Sequence, residues 1–157
     1  MLFRTHFVFV VLVYLAIWNF LEIAVYGKIV FGIFLFLATI FVDIDSTKSK
    51  LGSYWIFRPL QLFFSHRGMI HSLLMAVILS FILFIFDKNA GVGFFVGYML
   101  HLFLDTFTKR GVFLFWPLLD KKIVLVGLNS GGLVEEILFV LALLADIYFV
   151  FRIVLWS

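Results

Sequence analysis

Long apolar runs alternate with short polar clusters along this chain. Runs over residues 7–26, 29–42, 69–86, 91–107 and 133–151 read as helices in hydrocarbon, where each helix satisfies its own backbone groups. At 1.5 Å per residue, most of them reach or approach the roughly 30 Å of a bilayer core. The pattern predicts an all-α polytopic membrane protein, a single domain over 1–157, with about five transmembrane helices and two interfacial loops. The second run is short. Its span of about 21 Å either thins the bilayer or leaves Asp43 and Asp45 below the headgroups. The first run is too long for a signal-peptide core and lacks a small-residue cleavage site, so it reads as retained.

Composition strengthens this picture and removes alternatives. With 65% hydrophobic and only 13% charged residues, the chain has far more apolar surface than a soluble domain of 157 residues can bury. The absence of cysteine excludes disulfides and thiolate ligands, so any metal is held by nitrogen and oxygen. The net charge of +3 is too scattered for nucleic-acid binding. Topology accounts for it better. Five crossings place the N-terminus and the loops 43–68 and 108–132 on one side, with only Lys28, Lys88 and Arg152 of the twelve basic residues on the other. The positive-inside rule then puts the N-terminus and the polar clusters in the cytoplasm and the C-terminus outside.

The two loops on that side mix aromatics, aliphatics and cations over 54–64 and 112–122, the composition of segments lying among headgroups. They are read either as roofing a site open to lipid or as simple anchors.

All four histidines, His6, His66, His71 and His101, fall on the same side, with Asp43, Asp45, Asp105 and Glu135. His101-x-x-x-Asp105 places an imidazole and a carboxylate on one helix face, where both can meet one ion or two adjacent ions. A buried His–Asp hydrogen bond has the same spacing. Ionisable groups inside an apolar run are costly, however, and usually functional. His66 and His71 bracket Arg67, whose planar fork suits a phosphate or a carboxylate. Asp43 and Asp45 end the second run, one as a candidate metal ligand and the other to orient a ligand, bind a second ion or handle a proton. Glu135 and Glu136 open the last run, where carboxylates also cap a helix. The candidate metal ligands are therefore His6, Asp43, Asp45, His66, His71, His101 and Asp105. Asp45, Glu135 and Arg67 are the candidate catalytic groups, and Arg67, Ser72 and Thr108 the candidate substrate contacts.

Taken together, Thr5-His6, Asp43-Ile-Asp45 with Ser49, His66-Arg-Gly-Met-Ile-His71-Ser72, Gly97-x-x-x-His101-x-x-x-Asp105 through Thr108 to Gly111, and Trp116-Pro117 resemble the YdjM-like family of LexA-regulated, membrane-bound metal-dependent hydrolases. The resemblance covers nearly the whole chain in order. It implies a membrane hydrolase that uses a metal, and it supplies no substrate. More distantly, the order of an early His, an Asp, a His and a His-x-x-x-Asp is similar to the ligand order of the zinc-dependent phospholipase C and P1 nuclease group. That likeness implies one zinc on Asp43 or Asp45, His71 or His66, His101 and Asp105, with His6 and Asp105 contributing to a neighbouring ion. The chain departs from the group in having no histidine after His101, so a third ion would depend on Glu135 and water.

The resulting expectation is a hydrolase embedded in the cytoplasmic membrane that cleaves a phosphoester of a phospholipid or lipid-linked phosphate with metal-activated water. One or two Zn2+ ions are expected, with Mn2+ or Fe2+ fitting similar ligands. The partners are a membrane lipid substrate and the bilayer, with no nucleic acid. A hydrolase of an ester, amide or peptide bond, or a metal or proton transporter, stands as the alternative. The oligomeric state is not encoded in these patterns.

Overall fold

The computed structural model describes residues 1–45, 53–55, 58 and 69–156, with the backbone alone at 45 and 156. Among these residues are five α-helices: α1 (Phe3–Ile17), α2 (Val25–Phe41), α3 (Leu73–Phe86), α4 (Lys88–Thr106) and α5 (Leu133–Trp156). A 3-10 turn, Val42–Asp45, continues α2, and another, Met69–His71, leads into α3.

The all-α expectation agrees with this architecture, but the count of five transmembrane helices does not. Among the described residues, only Val25–Ile44 and Leu133–Leu155 are long and apolar enough to cross a membrane. The reasons are physical. α1 and α3 have 15 and 14 residues, or about 22 Å against a core of about 30 Å. α4 has 19 residues but carries Lys88, His101 and Asp105 besides three glycines, and it is largely buried by its neighbours.

The first predicted run is broken as well. α1 stops at Ile17 and α2 begins at Val25, so residues expected to continue one helix instead reverse the chain. Lys28, expected in a loop, lies in the first turn of α2. Its ammonium donates to Trp18 O at 2.8 Å and sits 5.0 Å over the Trp18 ring, while Tyr14 Oη donates to Lys28 O at 3.0 Å. A side chain of α2 thereby supplies the donor that a carbonyl at the end of α1 lacks. The expected turn at 87–91 is tighter still. Asp87 alone joins α3 to α4, and its carboxylate caps α4 by accepting from Ala90 N at 2.8 Å.

α4 is the central helix. Ala38, Val42, Ala76, Phe94, Tyr98 and Leu102 form a core among α2, α3 and α4, and Val10, Phe31 and Leu35 join α1 to α2 in a second. α5 packs chiefly against α1. Its remaining surface and the outer surface of α3 each expose apolar side chains, among them Leu141 and Phe151 on α5 and Phe81 and Phe86 on α3. An exposed apolar area of this extent marks contact with lipid or protein. The N-terminal ends of α1, α3 and α5 and the C-terminal ends of α2 and α4 meet at one end of the bundle.

Of the two expected interfacial loops, 54–64 lies mostly outside the described residues. Residues 107–132 form a folded segment held by isolated bridges, Thr108 with Leu128 and Val112 with Ile123. Its Leu114 carbonyl accepts from Leu73 N at 2.8 Å at the start of α3.

Candidate metal centre

Gly93, Gly97, His101 and Asp105 stand four residues apart on α4, so they form one ridge. The facing ridge of α2 is Phe31, Leu35 and Thr39, continued by Asp43 in the 3-10 turn. A Cβ at Gly93 would overlap the Phe31 carbonyl oxygen, and one at Gly97 would overlap that of Leu35. The missing side chains let the backbones touch, the small-x-x-x-small packing that suits helices in lipid. One step further along the same ridges, the Nδ1–H of His101 donates to Thr39 O at 3.1 Å. That bond fixes the ring and leaves Nε2 as the available donor atom. His101 Nε2 then lies 3.7 Å from Asp43 Oδ1 and 4.0 Å from Asp105 Oδ2.

Two further elements close on this pair. The Met69–His71 turn brings His71 Nε2 to 3.8 Å from Asp43 Oδ1 and 3.9 Å from Asp105 Oδ2. Tyr98 Oη, on α4, donates to Ile70 O, and Ser72 Oγ donates to Met69 O at 2.6 Å. α1 brings His6 Nε2 to 3.4 Å from Asp105 Oδ1, with its ring stacked on His101 at 4.2 Å between centroids. His6 Nδ1–H donates to Leu2 O at 3.2 Å, again leaving Nε2 turned inward. The α-amino group of Met1 donates to Asp105 Oδ1 at 2.9 Å.

The result is two overlapping triads, His6–His101–Asp105 and Asp43–His71–His101, each with donor atoms within 4.8 Å of one another. All but Asp43 are buried, and the Asp43 side chain is 24% exposed. The cluster is capable of holding a divalent metal ion. His101 Nε2 supports that fit, for it is buried with no hydrogen-bond partner among the described residues, a costly arrangement unless an ion or water meets it. Protonation states agree. Burial, and then the neighbouring His6, push the His101 imidazole down to about 3, so it is neutral at physiological pH. Burial by itself would raise the Asp105 carboxyl. The hydrogen bond from His6 and the positively charged amino terminus beside it outweigh burial and hold it below the usual carboxylate range. A neutral imidazole and an anionic carboxylate are the forms that ligate metals. Oxygen and nitrogen donors without sulfur suit Zn2+, Mn2+ and Fe2+ alike.

The remaining sequence candidates fall elsewhere. Glu135 is buried but turned away from the centre: Oε1 accepts from Leu2 N at 2.6 Å and Thr5 Oγ1 at 2.8 Å, and Oε2 from Gly131 N at 2.8 Å. It ties the start of α5 to the start of α1, beside an ion pair of Arg4 with Glu136. Ser72 caps α3 by accepting from Met75 N at 3.3 Å. Thr108, also buried, donates to Asp105 O at 2.9 Å at the end of α4. His66, Arg67 and the side chain of Asp45 lie outside the described residues. Sequence reasoning missed the parts of Thr39 and Tyr98. The continuous four-residue spacing from Gly93 to Asp105 is the signal that would have pointed to Thr39 through the opposite ridge.

A family model described as YdjM inner membrane protein matches residues 1–156. The protein YvsG of Bacillus subtilis is 32% identical over 111 residues, covering 68% of this chain and 69% of that protein. The inner membrane protein YdjM of Escherichia coli is 38% identical over 90 residues, 52% of this chain and 46% of that protein, and its Shigella flexneri counterpart matches to the same extent. The chain thus spans less than half the length of those two inner membrane proteins. No solved structure matches, and none of these similarities extends to the phospholipase C and P1 nuclease group.

Proposed function

The chain belongs to the YdjM inner membrane protein family, and from that premise we propose that it is a membrane hydrolase whose His–Asp cluster binds a divalent metal and cleaves a phosphoester of an amphiphilic substrate. One observation carries the reading. The cluster is buried except at Asp43, and a catalytic metal site differs from a structural one in keeping a side open for water and substrate.

His6, Asp43, His71, His101 and Asp105 would hold the ion. His101 offers a single nitrogen, Nε2, to both triads because Nδ1 is engaged by Thr39. Such sharing favours one ion over two. Zinc is the preferred ion, with Mn2+ and Fe2+ compatible. When bound, it supplies Lewis acidity that activates water and offsets charge developing on the ester. The chain's own residues do the rest. The His101 and His6 rings are fixed through their Nδ1 bonds, and Asp43 marks the edge that substrate reaches. Asp45, two residues on, is our candidate for orienting water, and Arg67 for clamping the phosphate. Glu135 acts as a positioning residue for α1 and His6. The cluster end faces the cytoplasm in this reading, because Arg4 and the cations of 107–132 gather there.

The test is metal analysis of purified protein, followed by release of phosphate or headgroup from a mixed-lipid panel by wild type and His101→Ala. A bound metal with turnover abolished in the variant is expected. Protein without metal would remove the reading, and metal without phosphoester turnover would move it to a carboxyl ester, amide or peptide bond.

A further inference from the structure

Residues 107–132 concentrate charge that the metal centre does not use. Lys109, Arg110, Lys121 and Lys122 face a single carboxylate, Asp120, so the segment carries the whole formal net charge of the chain, +3. All five of these side chains are exposed. The two dibasic pairs are well separated in sequence, but the fold brings them together. Val112 and Ile123 exchange both backbone hydrogen bonds, at 3.2 and 2.8 Å. Gly111, with φ +58°, lies against Lys122, whose Cγ would be 3.0 Å from a Cβ there. Gly127 lies beside Lys109, whose Cγ would be 3.8 Å from its Cβ.

Between the pairs the chain projects an apolar tip, with Leu118 87% and Leu119 57% exposed. At its base the tip meets α3. Phe115, Trp116 and Leu118 border a cavity of about 220 Å³ whose other wall is Leu73, Leu74 and Val77 in the first turns of α3. Leu74 and Val77 themselves belong to the exposed apolar face of α3. The tip therefore extends a surface fit for hydrocarbon, and the four cations form the basic end of the same segment.

We propose that residues 109–126 are a docking element for anionic phospholipid, with the Leu118–Leu119 tip in the acyl boundary and the four cations on headgroup phosphates. Apolar side chains beside clustered Lys and Arg are the combination that binds anionic membrane surfaces. The element follows directly on Asp105 and Thr108, so it concentrates anionic lipid beside the metal centre. It does not depend on which bond that centre cleaves.

The chain has no cysteine, so Leu119→Cys takes a nitroxide label at one place. In nanodiscs of phosphatidylcholine mixed with phosphatidylglycerol, the label should be open to oxygen and shielded from a water-soluble nickel relaxant. Protein purified in mild detergent from the same mixture should retain phosphatidylglycerol in preference to phosphatidylcholine. Each of Lys109→Gln, Arg110→Gln, Lys121→Gln and Lys122→Gln should lower that preference, by up to about five-fold, with metal content unchanged. Equal retention of the two lipids by wild type would overturn the proposal, as would a label fully open to nickel. A disulfide-linked dimer of the unlabelled Leu119→Cys variant would overturn it too, assigning the tip to a second copy of the chain.

Discussion

Gly97 packs so closely on Leu35 that its Cα stands where any other residue would drive a Cβ into the Leu35 carbonyl oxygen. Gly97→Ala should therefore push α4 away from α2 and disturb the bond from His101 to Thr39 one turn on. We expect a destabilisation of about 1–3 kcal/mol, read by thermal unfolding in detergent, together with reduced metal occupancy. Unfolding and occupancy equal to wild type would show that the two ridges do not set the site.

His101→Ala removes the donor common to both triads and should reduce bound metal to background in elemental analysis. His6→Ala and Asp43→Ala each reach one triad and should leave weaker, measurable binding. Equal loss in all three would point to a centre without the sharing described for His101.

Tyr98→Phe keeps the ring in the core and deletes only the hydroxyl that holds the Met69–His71 turn through Ile70 O. Metal affinity should fall by about ten-fold, the lower end of the range for groups that orient a ligand. A competition titration with a chelating dye measures it, and an unchanged affinity would mean that His71 holds its place without Tyr98.

Glu135→Gln separates two roles. As the acceptor for Leu2 N, Thr5 Oγ1 and Gly131 N, the carboxylate should contribute about 1–3 kcal/mol, so the variant should melt earlier. A variant of wild-type stability that has lost turnover would instead make Glu135 a proton-transfer group.

Some of this could be read from the chain alone. The convergence of His6, Asp43, His71, His101 and Asp105 was legible because helical spacing and the ends of apolar runs both have a simple geometric meaning. The number of spanning helices was not. Hydropathy does not distinguish lipid from a neighbouring helix, so the buried α4 and the short α1 and α3 read like spans. The break at 18–24 was hidden for a related reason. The group that ends α1 is Lys28, a side chain on the following helix, and no local signal marks it. Glu135 illustrates the limit for single residues, since its partners Leu2 and Thr5 lie more than a hundred residues away in sequence.

α5 is the longest helix and exposes many apolar side chains, yet it touches the bundle chiefly through α1, which in turn delivers His6. A helix of 24 residues is about 36 Å long, several ångströms more than a typical hydrocarbon core, and such an excess is taken up by tilt. Tilting α5 would move the Glu135 clasp and, through it, the imidazole stacked on His101. Metal affinity in this protein should therefore vary with the acyl-chain length of the surrounding bilayer, and the Glu135→Gln variant should lose that dependence.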